Sequence, residues 1–156
     1  MTEVKVLQSR LQRRPLVALA IVCLLCIPQA GLAQARVLVQ REDGVSVWFS
    51  VELALSVEQR TEGLMHRQSL SARHGMWFDF GADNDVVMWM KNTLVALDML
   101  FVEADGTLAR VHSNTVPFSE TLLRSGRPVR FVLELNAGDV DRYALKPGDK
   151  LRLVSP

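Results

Sequence analysis

Beyond residue 36 the apolar positions come in short runs broken by polar turns, a pattern of strands rather than long helices. Residues 37–39 and 45–53 are β-branched and aromatic, and Arg41-Glu42-Asp43-Gly44 between them is an Asp-Gly turn. Along 48–54, Trp48, Ser50 and Glu52 share one face and Phe49, Val51 and Leu53 the other, which predicts a strand with one buried side. Ser56-Val57-Glu58-Gln59 predicts a helix start, with Ser56 as cap and Gln59 closing a capping box. That helix should reach about Met65 and turn Val57, Leu64 and the stem of Arg60 toward the core. Gly63 inside it would cost about 1 kcal/mol relative to alanine, so it is expected where backbones pack closely.

Strand patterns resume at 76–80 and 86–90, with Gly81-Ala82-Asp83-Asn84-Asp85 as the turn. Residues 97–102 are apolar on both faces, as in a central strand, and Ala104-Asp105-Gly106 folds them back into 107–116. Residues 118–127 read as a loop with one helical turn, and 129–135 as a strand. A short helix then leads from Asn136-Ala137-Gly138-Asp139 to about Leu145, before a turn at 146–149 and a last strand at 150–154. The sum predicts an α+β fold: a small, β-rich single domain with a mostly antiparallel, barrel-like sheet and two short helices.

The first residues follow a different logic. Arg10, Arg13 and Arg14 precede twelve unbroken apolar residues, 16–27, and Ala33-Gln34-Ala35 has the small-x-small form of a signal-peptidase site. A spanning helix needs about 20 apolar residues, so residues 1–35 are expected to be a signal peptide cleaved after Ala35, with retention as an anchor the alternative. The single globular domain is then 36–156, periplasmic or extracellular. Neither Cys23 nor Cys26 has the surroundings of a lipoprotein site, and both lie in the leader. The mature chain therefore has no disulfide, thiol nucleophile or cysteine metal site.

Cleavage would remove four of 18 Lys and Arg but one of 17 Asp and Glu, leaving about 120 residues near −2. No basic field remains to hold nucleic acid or an anionic membrane. Any membrane contact is expected only through an uncleaved leader, and the domain is expected to be monomeric.

Candidate chemistry concentrates where apolar strands end in polar groups: Trp89-Met90-Lys91-Asn92-Thr93, followed by Asp98. Asp98 shares a strand face with Leu100 and Val102 and so needs a partner, either a loop amide or a cation such as Lys91 or Arg67. Glu134, between Leu133 and Leu135, could pair with Asp98 as acid and base, or face solvent. Met88 and Met90 would point the same way in a strand, which suggests a soft Cu(I) site. His66, His74 and His112 lack metal spacing, and no GxSxG nucleophile elbow is present. No metal or cofactor is expected.

Four blocks, Gly63-Leu64-Met65-His66-Arg67, Gly75-Met76-Trp77-Phe78, Trp89-Met90-Lys91-Asn92-Thr93 with Leu97-Asp98-Met99-Leu100-Phe101, and Val132-Leu133-Glu134-Leu135-Asn136-Ala137-Gly138, together resemble the prokaryotic family called domain of unknown function 192. The resemblance spans about 47–153 and implies a small β-rich α+β domain without an assigned activity. It points to Gly63, Met65, Arg67, Trp89, Lys91, Asn92, Asp98 and Glu134 as the matching positions. Trp77 and Val95-Ala96 depart from the usual smaller apolar residue and the usual Ile/Val-Pro, which leaves the 91–97 loop less rigid.

These readings give an exported small-ligand or cell-envelope binding module, with a polar cleft formed by Arg67, Trp89, Lys91, Asn92, Asp98 and Glu134 and a small polar or anionic ligand. The alternatives are an envelope enzyme with Asp98 or Glu134 as general base, and the Cu(I) protein.

Overall fold

The computed structural model describes residues 34–154, so the predicted leader lies outside the described residues apart from Gln34 and Ala35. Nine strands and two short helices follow one another: β1 (Gln34–Gln40), β2 (Ser46–Ala54), α1 (Val57–Glu62), β3 (His74–Asn84), β4 (Val87–Met88), β5 (Leu97–Val102), β6 (Leu108–His112), β7 (Leu123–Arg124), β8 (Val129–Asn136), α2 (Asp139–Arg142) and β9 (Lys150–Val154). Seven strands form one curled sheet in the order β6-β5-β8-β3-β2-β1-β9, and β4 pairs with β7 apart from it. The curl is a half-barrel: its edge strands meet only at one corner, through the Thr107–Lys150 bridge and the Leu151 amide donating to the Gly106 carbonyl.

The alternation along β2 is as the sequence implies, with Phe49 and Val51 buried and Trp48 exposed. Every residue of β5 is buried, because β5 lies between β6 and β8 with both faces covered. One pairing departs from the antiparallel expectation. β2 and β3 run parallel, Ser50 opposite His74 through Ala54 opposite Phe78, because α1 and its flanking loops carry the chain back to the same end of the sheet.

The two sheet faces carry separate cores. On one, Phe49, Trp77, Leu100, Leu133 and Leu135 pack with Val140 of α2 and Leu151 of β9. On the other, Met76, Phe78, Met99, Phe101 and Val132 are covered by Leu64, Val86, Met90 and Leu97.

Three local predictions need correction. The capping box of Ser56 and Gln59 forms, but α1 ends at Glu62, since Gly63 takes φ +51° with Phe78 pressed where a side chain would stand. The strand predicted at 86–90 is only Val87–Met88, because the Met90 amide leaves the ladder to donate to the Ser119 carbonyl. The partner strand β7 lies in the segment predicted as a loop, where Leu123 pairs with Met88.

Candidate functional site

Glu134 sits in β8, opposite Met76 of β3 on one side and Met99 of β5 on the other. Strand alternation therefore sends its carboxyl onto the face that carries the apolar Met76, Phe78 and Val132. It is 4 % exposed and has no hydrogen-bond partner among the described residues. Burial alone pushes its pKa up to about 8, so near neutral pH it is largely protonated.

The carboxyl borders a cavity of about 400 Å³, within the range of small-molecule sites. Three chain segments wall it. From α1 come Val57, Arg60 and Thr61, continued by Gly63 and Leu64. Phe78 and Phe80 of β3 form the second wall, and Val87, Met88, Trp89 and Thr93 the third. Val57, Arg60 and Leu64 are the stripe that the sequence turned toward the core, and Leu64, just past the end of α1, is buried there. The stripe does face inward, but onto the cavity: α1 itself has no buried residue.

Arg60 is the other charged residue of the lining. Its Nη1 donates to the carbonyls of Leu55 (2.5 Å) and Asp79 (2.8 Å), and its guanidinium lies 5.4 Å from the Phe80 ring centre. Asp79 is occupied by Arg130 through two 3.0 Å hydrogen bonds, which hold its carboxyl below the ordinary range.

The six residues proposed from sequence do not form one cleft. Trp89 and Glu134 line the same cavity. Arg67 lies elsewhere, in a bidentate pair with Glu52. Lys91 stands 5.2 Å from the Trp89 ring centre and 3.9 Å from Glu120. Asn92 takes a left-handed backbone, φ 56°, and its carbonyl accepts from the His66 amide, so it shapes a turn. Asp98 is fully buried and accepts from the amides of Asn114 (2.8 Å) and Val140 (2.9 Å). A stranded buried amide costs about 1–3 kcal/mol, so this carboxyl is engaged in holding the Asn114 loop and the first turn of α2 to the sheet.

Register also separates the two carboxylates. Asp98 is opposite Leu135, whereas Glu134 is its chain neighbour, so they project from opposite faces of the sheet. They cannot serve as a paired acid and base. The copper arrangement fails as well. Met90 is buried, with its sulfur 3.1 Å from the Thr115 hydroxyl, while Met88 borders the Glu134 cavity. No group of three His, Cys, Asp or Glu is placed to hold a metal among the described residues.

A second concavity of about 420 Å³ lies beside Met90, His112 and Thr115. Its buried polar group is already used, the Thr115 hydroxyl donating to the Leu97 carbonyl at 2.9 Å. The Glu134 cavity differs in presenting an unspent buried acid.

These features define a small half-barrel domain with a cavity floored by the Glu134 carboxyl, in a class of proteins without an assigned activity. The chain belongs to the family described as Uncharacterized ACR, domain of unknown function 192, whose profile matches residues 38–153. A crystal structure from Sinorhizobium meliloti 1021, described as a candidate transcription regulator, is 46 % identical with a TM-score of 0.78, covering 80 % of this chain and 97 % of that one. A protein of unknown function from Novosphingobium aromaticivorans DSM 12444 is 36 % identical with a TM-score of 0.76, covering 80 % and 89 %. No curated protein matches the chain.

Proposed function

We propose that this chain is an exported small-ligand binding module whose site is the Glu134 cavity. The observation that carries the reading is a buried carboxyl, without a protein partner, opening into a cavity with aromatic and aliphatic walls. An anionic ligand, one of those suggested by sequence, loses its basis, since Arg67 and Lys91 are paired with Glu52 and Glu120. A mainly apolar ligand with one polar group suits the lining better.

Trp89, 43 % exposed at the cavity, supplies the reporter. In a Trp48→Phe background, a panel of small amphiphiles should give saturable changes in its fluorescence, while Trp77 on the other sheet face stays constant. Thr61→Trp, which fills the cavity from an exposed helix, should abolish the response. A panel that leaves both fluorescence and thermal stability unmoved would end the binding reading.

The raised Glu134 acid supports one second reading, a general acid–base enzyme. Turnover of a bound ligand that disappears in Glu134→Gln while binding persists would replace the first reading with this one. The regulator description of the Sinorhizobium relative suggests no nucleic-acid site here, because residues 36–156 carry a net charge near −2.

Export rests on the leader, and the position of β1 bears on where it is cut. Ala35 is buried and pairs with Val51, and Gln34 pairs with Glu52. Cleavage after Ala35 would remove both pairs. Gly31-Leu32-Ala33 has the same small-x-small form one step earlier and leaves β1 whole. Intact mass of the exported protein should place the mature N-terminus at Gln34; a mass starting at Arg36 would refute that position.

A further inference from the structure

Taking the Glu134 cavity as a binding site, as proposed above, we infer that its ligand is an organic cation: an ammonium group on an apolar body, with the ammonium against the Glu134 carboxylate and the body among Phe78, Phe80 and Trp89.

The charge inventory of the cavity leads to this class. A buried carboxyl is normally matched by a cation or by several donors on the protein. Glu134 has neither among the described residues. Arg60 is spent on the Leu55 and Asp79 carbonyls, and its charge has no part in moving the Glu134 equilibrium, which burial alone displaces. The missing counter-charge is therefore left for a ligand to bring. An anionic ligand would meet the acid with no cation available to offset it. A neutral ligand would gain one hydrogen bond, whereas an ammonium would gain a charge-assisted one in a poorly hydrated site.

The walls favour the same choice. Phe78, Phe80 and Trp89 line the cavity, and the face of an aromatic ring, with its negative quadrupole, attracts cations. Trp89 and Phe80 already take cationic groups in the protein, Lys91 at 5.2 Å and Arg60 at 5.4 Å from their ring centres.

Proton linkage adds a signature. Facing Glu134 are Met76, Phe78 and Phe80 from β3 and Met99 from β5, none of them titratable. Trp89 and Thr93 contribute no charge, and α1 contributes Arg60, which stays charged. Glu134 is thus the one group whose protonation changes on binding near neutrality: the ammonium enters as the carboxyl proton leaves to solvent. Affinity for an amine should rise as the pH climbs through about 8.

The test is a matched series: 4-phenylbutylamine, 4-phenylbutanol and 4-phenylbutanoate, titrated into the mature protein at pH 7 and pH 8.5 by calorimetry in buffers of different ionisation enthalpy. The amine is expected to bind about tenfold or more tighter than the alcohol, the equivalent of one charge-assisted hydrogen bond. It should release close to one proton at pH 7, and the butanoate should not bind. Glu134→Gln should bring amine and alcohol to within about twofold, the range expected once charge assistance is gone. Thr61→Trp, which leaves the carboxyl in place, should block all binding. Equal or tighter binding of the alcohol or the butanoate overturns the cation class and leaves the cavity reading standing. Amine binding that keeps its preference in Glu134→Gln overturns it too. If none of the three binds while other members of the wider panel do, the class falls alone; if nothing binds at all, both readings fall.

Discussion

Raising the pH from 5 to 9 is expected to destabilise this fold by about 4 kcal/mol, and Glu134→Gln to remove most of that loss. The sign follows from the direction of the shift. The carboxyl titrates at about 8 in the folded chain against 4.5 as a free group, so the native state holds a proton that the unfolded state releases. The associated stability is fully present below about 4.5 and is lost as the pH rises through about 8. At about 1.4 kcal/mol per unit the full span approaches the entire stability of an ordinary small domain. Asp79, held low by Arg130, works in the opposite sense, but its contribution is lost only as the pH falls through the acidic range. Urea denaturation at pH 5, 7 and 9, in amine-free buffers, compares wild type with Glu134→Gln. Parallel pH profiles for the two proteins would show that the carboxyl is hydrated or paired in solution, and the site argument would lose its foundation.

Gly75→Ala is the second large effect. Gly75 lies in β3 against β8, and a β-carbon there would stand 2.2 Å from the Glu134 carbonyl oxygen and 2.8 Å from Leu135 Cδ2. The Leu135 side chain can turn aside, but the carbonyl cannot yield without parting the two strands, so a loss of about 3 kcal/mol or more is expected. Gly44→Ala is the control: its backbone is left-handed at φ +86°, but nothing lies within 4 Å of the added carbon. It should cost about 1 kcal/mol, the strain of the backbone alone. Thermal melts of both variants decide the matter. If Gly75→Ala melts no lower than Gly44→Ala, the close approach that fixes the cavity floor is softer than its geometry implies.

The local rules of the fold were legible where one segment decides its own structure. The Ser56–Gln59 capping box, the two-faced β2 and the doubly buried β5 each follow from patterns a few residues long. The parallel β2–β3 pairing was not, because strand direction depends on where a long connection brings the chain back. The site divides in the same way. Trp89 and Glu134 stood out as polar-edged or charged residues within apolar runs. The partners of Asp98, at Asn114 and Val140, and of Arg67, at Glu52, are set only by tertiary approach, so an acid and a cation that look available in sequence are occupied in space. The inward stripe was visible at 57, 60 and 64, but periodicity reports the direction a face points, not whether packing fills the space before it.

That stripe has an engineering corollary. The floor acid belongs to a central strand locked on both sides by register, while α1, on the crossover from β2 to β3, buries no residue of its own. Changes at 57, 60 and 61 therefore leave the core untouched, so the proposed site can be reshaped from the crossover while the sheet and its acid stay fixed. On the proposed reading the crossover is the exchangeable part of the molecule, and grafting it from one relative onto another should carry ligand preference with it.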